Sequence, residues 1–314
     1  MTVGAPRIEA CGEVRSSGRP AALDSGLPPV DAPLALFLGM LDLRPIDTDV
    51  FEAPNPAFSW RRIYGGQLLA QTVVAASGTV EGKLLHSLHG YFVSPGDSSH
   101  PFVCRVERIR DGRSFALRRV TMLQDEQPVF VATASFHAPE DGLEHGPQMP
   151  PTPGVDDAMS EAEWLRRSAT MAVANLHGFW KRERPFELRP VDWEAFVTRR
   201  APAPMRRVWM KVRHALSDEP LIHQALLAYM SDYALLDASL LPHGHSSGDP
   251  DMQSASIDHA IWFHRSFRAD NWLLLHEEGV TAAHARGFVR GSFYTEDGCL
   301  VASVTQEGLI RQRR

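Results

Sequence analysis

The chain alternates between helix-like and strand-like patterns of apolar residues. In its N-terminal half, APLALFLGMLDL predicts a short helix from about Pro33. IYGGQLLAQTVVAAS (63–77) predicts a buried helix, because apolar residues lie on nearly every side of it. Strands are then predicted at 84–93, 101–110, 114–123 and 129–138, with a hairpin turn at Asp111-Gly112. We therefore expect one central helix followed by several antiparallel strands.

The C-terminal half repeats this order of elements. RRVWMKVRHAL (206–216) predicts a strand and HQALLAYMSDYALLDASLL (223–241) predicts a long helix. Strand-like runs follow in SIDHAIWFHR, WLLLHEE, HARGFVRGSFYT and LVASVTQEGLIR. Matching positions keep nearly constant offsets: 165 residues from Gln67 to Asp232, 169 from Ser87 to Ser256, and 170 from Phe136 to Gln306. These offsets indicate an internal duplication.

Composition divides the chain into four segments. Residues 1–33 lack long apolar runs and predict a weakly ordered arm. Residues 146–185, which begin in a stretch rich in Pro, Gly and acidic residues, predict a linker with a short helix. The two duplicated units then occupy 34–145 and 186–314. The expected fold class is α+β, with two antiparallel sheets, each wrapped around a long central helix.

Length, charge and cysteine content narrow the class of protein. The 314 residues are 44% hydrophobic and 22% charged, which is ordinary for a globular protein. The net charge of −6 argues against a protein that chiefly binds nucleic acid. Cys11, Cys104 and Cys299 form no CxxC pair, so we expect neither a zinc ribbon nor a thioredoxin-type site, and the thiols fit a reducing cytoplasm. We also expect no cofactor and no metal site. No apolar run approaches the roughly twenty residues of a membrane span.

Asp232 is the most informative polar residue, because it interrupts the apolar stretch AYMSDYALL. Aspartate is a poor helix former, and a carboxylate on a buried helix must find hydrogen-bond partners or its pKa rises. Asp232 therefore lies on a solvated stripe of the helix, caps a neighbouring turn, or belongs to a functional site. The first unit carries the neutral Gln67 at the matching position. The fold itself thus requires no carboxylate there, which favours the functional interpretation.

Gln306 and Ser256 are further candidates. Gln306 follows the apolar run LVASVT, at a position where the first unit carries Phe136. It either faces water at a strand end or has polar partners, because burial of an unpaired amide costs roughly 1–3 kcal/mol. Ser256 matches Ser87, so a structural hydroxyl at the strand start explains both serines unless Ser256 lies beside Asp232 and Gln306.

Several long blocks of the sequence resemble the acyl-CoA thioesterase II family, which has a tandem hotdog fold. The blocks include RRIYGGQLLAQ, LHSLHGYFVSPGD, ASIDHAIWFHRSFRADNWLLL and ARGFVRGSFYTEDGCLVASVTQEGLIR, in the family's order. The resemblance implies a self-associating double hotdog enzyme that hydrolyses fatty acyl-CoA to a fatty acid and coenzyme A. It also implies that Asp232, Ser256 and Gln306 orient and activate the attacking water. Better-known members carry Thr in place of Ser256, so this chain keeps the hydroxyl and lacks the methyl group.

Two other functions remain open from the sequence. One is an acyl-CoA binding or assembly module with a weakened site, which the serine at position 256 allows. The other is a hotdog hydratase or dehydratase for enoyl thioesters. That chemistry typically uses an Asp–His pair within a short stretch of one helix, and no His follows closely after Asp232.

Other motifs give weaker signals. GHSSG (244–248) matches the GxSxG nucleophile elbow, but no strand precedes it and no helix follows it. We therefore expect a solvent loop in which His243 and His245 are solvated. His259 and His264 lie five residues apart on one predicted strand, so their side chains point to opposite faces and make a poor metal pair.

Basic residues offer no clear binding site. The segment TRRAPAPMRR (198–207), with Lys211 and Arg213 beyond it, is either a solvated loop and strand or a contact for the phosphates of coenzyme A. Four further arginines have a comparable claim to those phosphates: Arg118, Arg119, Arg286 and Arg290.

Overall fold

The computed structural model describes residues 30–55, 63–170, 184–192 and 204–313, so most of the predicted arm and part of the predicted linker lie outside the described residues. The described residues form four α-helices: α1 (Ala32–Met40), α2 (Gly65–Ser77), α3 (Glu161–Thr170) and α4 (Pro220–Ser231). They also form thirteen strands: β1 (Arg44–Asp47), β2 (Val50–Ala53), β3 (Leu84–Phe92), β4 (Phe102–Asp111), β5 (Phe115–Gln124), β6 (Gln127–His137), β7 (Phe186–Pro190), β8 (Met205–Val212), β9 (Met252–Ser256), β10 (Asp258–Phe263), β11 (Leu273–Ala283), β12 (Arg286–Thr295) and β13 (Leu300–Gln312). None of these helices is long and apolar enough to cross a membrane.

Most predicted elements of the first half lie close to their predicted positions. α1 begins after Asp31, whose carboxylate accepts a hydrogen bond from the Leu34 N–H at 3.0 Å, and Pro33 lies in its first turn. α2 and strands β3 to β6 follow as the apolar pattern predicts. β1, β2, β7 and β9 were not predicted, because four or five residues are too few to show a period.

All the strands join one antiparallel sheet, in the order β1-β2-β4-β5-β6-β3-β10-β13-β12-β11-β8-β7, with β9 also paired to β13. Outward from the centre, both halves have the same strand order. The halves meet where β3 pairs with β10, with Gly90 opposite His259 and Leu88 opposite Ile261. The two predicted sheets are therefore joined edge to edge, because equivalent strands satisfy each other's free hydrogen-bonding groups.

α2 lies against strands of the first half and against α4 of the second half. Its side chains Leu69, Ala70 and Val73 are fully buried. Gly66 lets the two helices approach closely, because a Cβ added at this residue would collide with the carbonyl oxygen of Tyr229. The beginning of α2 and the end of α4 are thus held together at the junction of the halves.

The predicted helix over 223–241 is wrong beyond Ser231. Asp232 caps the C-terminus of α4, and Ala234 has a φ of 61°, which an α-helix does not allow. Two short 3₁₀ turns follow, at Leu235–Ser239 and Leu241–His243. The guanidinium of Arg206 donates a hydrogen bond to the Ala234 carbonyl at 2.7 Å. This contact is tertiary, so local apolar spacing could not reveal the end of the helix.

The 3₁₀ turn at Leu235–Ser239 packs directly on β11 and β12. A Cβ added at Gly279 of β11 would collide with the backbone carbonyl of Ala238. A Cβ added at Gly287 of β12 would collide with the hydroxyl of Ser239. Glycine at both positions therefore sets how deeply this turn sits on the sheet.

We predict that Gly279→Ala destabilises the protein by about 1–3 kcal/mol, because backbone atoms must move to admit the methyl group. Urea unfolding measures the change in the free energy of unfolding. Gly142→Ala is the matched control, because its added Cβ would meet no described atom within 4 Å. Equal stability of the two variants would show that the turn does not sit against Gly279.

Candidate active site

Asp232, Ser256 and Gln306 meet at one point, although they come from three separate elements. The Gln306 amide nitrogen donates to the Asp232 carboxylate at 2.6 Å and lies 3.1 Å from the Ser256 hydroxyl. The Ser256 hydroxyl also hydrogen-bonds Asp232. The Asp232 side chain is only 6% exposed, Gln306 is buried and Ser256 is half-buried. The site is therefore a buried acid and a buried amide beside a half-buried serine.

The first half also contributes to this site, through the N-terminus of α2. The Gly66 N–H donates to the second Asp232 carboxylate oxygen at 2.9 Å. The positive end of the helix dipole favours a negative charge at this position. A Cβ at the preceding Gly65 would lie 2.7 Å from the same oxygen, so this approach requires glycine. Asp232 thus joins the halves as well as the three candidate residues.

Burial raises the pKa of Asp232 from 3.8 to about 6, and the hydrogen bonds from Gln306, Gly66 and Ser256 oppose this rise. The group is therefore a carboxylate at neutral pH that holds a proton more readily than an exposed aspartate. A carboxylate with a pKa near the working pH is suited to general-base catalysis. The interpretation of Asp232 as a residue on a solvated stripe is wrong.

His259 also lies in the site, although nothing in its sequence context marks it as a site residue. Its ring is buried, with Nδ1 3.3 Å from the Gln306 amide nitrogen and 4.0 Å from the nearer Asp232 oxygen. Burial lowers the pKa of His259 to about 3, so the ring is neutral. The predicted single strand SIDHAIWFHR would place Ser256 and His259 on opposite faces. The break between β9 and β10 at Ile257 brings both side chains to Gln306.

The GHSSG motif does not form a nucleophile elbow. A 3₁₀ turn precedes it and strand β9 follows it, which is not the strand–turn–helix order of the elbow. The expectation of a solvent loop is wrong for Ser246, which is buried. Asp249 draws it inward by accepting hydrogen bonds from the Ser246 N–H at 3.2 Å and from its hydroxyl at 3.0 Å. His245 Nδ1 lies 3.2 Å from the same carboxylate, while His243 is exposed.

Two of the basic candidates for phosphate binding are structural. Arg206 is buried in a bidentate pair with the buried Glu277. Arg118 is also buried and donates to Asp111 at 2.6 Å. Neither guanidinium can reach a phosphate at the surface, and only their burial, which is tertiary, separates them from exposed arginines. Residues 198–203 of the basic segment lie outside the described residues.

Comparisons with known proteins agree with this architecture. A family model described as acyl-CoA thioesterase matches residues 180–309, and a model described as acyl-CoA thioesterase N-terminal domain matches residues 54–137. The acyl-CoA thioesterase 2 of Haemophilus influenzae is 36% identical over 277 residues, which cover 88% of this chain and 96% of that protein. The chain therefore belongs to the acyl-CoA thioesterase family.

The chain is also similar to a human protein and to a protein of known crystal structure. The human acyl-coenzyme A thioesterase 8 is 34% identical over 297 residues, which are 92% of each protein. A crystal structure of an acyl-CoA thioesterase II from Mycobacterium marinum superimposes with a TM-score of 0.73 at 34% identity. It covers 88% of this chain and 98% of that chain. The similarity thus spans both halves rather than one isolated unit.

We predict that the free energy of unfolding of Asp232→Asn, relative to that of the wild type, increases as the pH rises from 4 to 8. A carboxyl group whose pKa is raised by folding stabilises the folded protein fully at pH values below its pKa in the unfolded state. This stabilisation is lost as the pH rises through the pKa of the group in the folded state. The difference between 3.8 and about 6 corresponds to about 3 kcal/mol. Urea unfolding at both pH values measures it.

Asp141→Asn, which removes an exposed carboxylate between β6 and α3, is the control and should follow the wild type. An Asp232→Asn variant that also follows the wild type at both pH values would contradict the burial of a charge at this position.

Proposed function

We propose that the protein hydrolyses fatty acyl-CoA thioesters to a free fatty acid and coenzyme A. The observation that carries this proposal is the convergence of the buried Asp232, Gln306 and Ser256 in a chain of the acyl-CoA thioesterase family. A thioester carbonyl is a good electrophile and a thiolate is a good leaving group. One positioned base therefore suffices for the reaction.

The proposed mechanism gives each residue one task. Asp232 accepts a proton from water while the water oxygen attacks the carbonyl carbon. The Gln306 amide and the Ser256 hydroxyl hold that water in line with the carbonyl. The C–S bond then breaks, and Asp232 returns its proton to the departing thiolate. The hydrogen bonds at 2.6 and 3.1 Å support this assignment, because they fix the acid and the two polar groups together before substrate arrives.

A hotdog hydratase for enoyl thioesters is the second candidate, and one observation favours it. His259 lies 4.0 Å from Asp232, so an Asp–His pair exists in space although none is present along the helix. Loss of enoyl-CoA absorbance without thiol release would support this candidate. Thiol release would support hydrolysis.

The acyl chain has a candidate pocket beside α1. An open surface cavity of about 510 Å³ is lined mainly by exposed residues of α1, together with Pro54 and Asn55, and most of this lining is apolar. Asn55 accepts a hydrogen bond from Gln67 at 2.7 Å, and Gln67 directly follows the Gly66 that contacts Asp232. We propose that this cavity receives the acyl chain.

We also propose a division into domains, self-association and a cellular location for this protein. We propose that 34–145 and 186–314 are hotdog units, each with its strands wrapped around a helix, and that 146–185 links them. The identical strand order of the halves supports this division. Tyr91, in the central strand β3, and Val93, directly after that strand, are exposed apolar side chains, which supports self-association. The free, buried thiol of Cys104 supports the proposed location in the reducing cytoplasm.

We predict that Asp232→Asn lowers kcat for palmitoyl-CoA by roughly 10²–10⁴-fold, because it removes the general base. Release of coenzyme A is followed with a thiol reagent. Ser256→Thr should keep most of the activity and Ser256→Ala should lose about tenfold, because only threonine retains the hydroxyl. Tight binding of acyl-CoA by the wild type without thiol release, at any chain length, would support a binding module instead.

We predict that Gly39→Phe selectively lowers kcat/KM for long acyl chains. Gly39 lines the cavity, and a Cβ added there meets no described atom within 4 Å, so a larger side chain can be added at this edge without moving the backbone. A series of acyl-CoA substrates from short to long measures the preference. Gly142→Phe, in an exposed segment, is the control. An equal effect of Gly39→Phe on all chain lengths would place the acyl chain elsewhere.

A further inference from the structure

We propose that His259 is a positioning residue that holds the Gln306 amide nitrogen toward Asp232, through a chain of hydrogen bonds that begins at the end of α4. The chain runs from the Ala228 carbonyl through Ser231 and His259 to Gln306. Its effect on turnover rests on the proposed function. Its effect on the orientation of the amide does not.

The first link of this chain lies at the C-terminus of α4, where the Tyr233 N–H donates to the Met230 carbonyl at 3.0 Å and the helix ends. The Ser231 hydroxyl, in the last residue of the helix, donates to the Ala228 carbonyl oxygen at 2.9 Å. Serine has one hydroxyl proton, and this bond uses it.

The second step determines the tautomer of His259. Its Nε2 lies 2.9 Å from the Ser231 oxygen, which has no further proton to donate. Nε2 must therefore carry the ring proton and donate to Ser231. The ring is neutral, so its other nitrogen, Nδ1, bears a lone pair and can only accept.

The third step determines the orientation of the Gln306 amide. Its terminal atom lies 3.3 Å from His259 Nδ1 and 2.6 Å from an Asp232 oxygen, and both partners are acceptors. The amide oxygen at this position would face two lone pairs, whereas the nitrogen donates to both partners. One N–H is directed at Asp232, and the other lies between His259 Nδ1 and the Ser256 hydroxyl. His259 thereby disfavours the flipped amide, which would turn an oxygen toward the base.

Substitutions at His259 separate this role from simple packing. His259→Phe keeps a ring but removes both nitrogens. His259→Asn removes the link to Ser231 but can place an oxygen where Nδ1 lies. We expect His259→Phe to lower kcat for palmitoyl-CoA roughly tenfold with KM nearly unchanged, and His259→Asn to recover most of that loss. Equal losses in the two variants would overturn the proposal.

A double-mutant cycle tests whether His259 acts through Gln306. In a Gln306→Ala background, His259→Phe should lower kcat no further, because the amide that it positions is absent. A further tenfold loss would mean that His259 acts independently, which would overturn the proposal.

A spectroscopic measurement tests the tautomer without any activity. ¹⁵N NMR of histidine-labelled wild-type protein, with the His259 signals identified from their loss in His259→Asn, should show a neutral ring protonated at Nε2 at pH 7. A ring protonated at Nδ1, or at both nitrogens, would overturn the proposal. A protein that shows the Nε2 tautomer but releases no thiol would instead count against the proposed hydrolysis.

Discussion

The site depends on one physical constraint: a carboxylate is buried where the two halves of the protein meet. Removal of Asp232 from water is unfavourable, and it is tolerated because donors reach both of its oxygens. One donor is the Gly66 N–H of the first half, and the others are Gln306 and Ser256 of the second half. These donors offset desolvation only in part, so the pKa remains raised to about 6. The same interaction therefore joins the halves and leaves a carboxylate that binds a proton more readily than an exposed one.

Several features of the scaffold serve this burial. Pairing of β3 with β10 makes one sheet of the two halves, and Gly66 allows the end of α4 to touch the beginning of α2. The left-handed turn after Asp232 is held by Arg206, which is itself neutralised by Glu277. An ion pair of this kind is weak evidence for stability, because desolvation of both charges is costly. The hydrogen bond from Arg206 to the Ala234 carbonyl holds the backbone beside Asp232.

Much of the fold could be predicted from the sequence. The candidate site residues could be predicted largely because the two duplicated halves can be compared position by position. Strand and helix periods predicted α2 and β3 to β6, because long elements with one buried face repeat their apolar residues regularly. The comparison of Gln67 with Asp232 and of Phe136 with Gln306 identified polar groups that the scaffold does not need. The position of His259 in the site could not be predicted in this way. It depends on a break between two strands and on hydrogen-bond partners, Ser231 and Gln306, that are 28 and 47 residues away in the sequence.

The sequence by itself determined the order of the longer elements, the duplication and the family, because each depends on local periods or on blocks of residues that can be compared directly. Tertiary structure decided where α4 ends, which arginines are buried and that the strands form one sheet. It also decided the protonation of the site. A pKa, a tautomer and an amide orientation depend on burial and on hydrogen-bond partners from distant elements, and neither exists until the chain has folded.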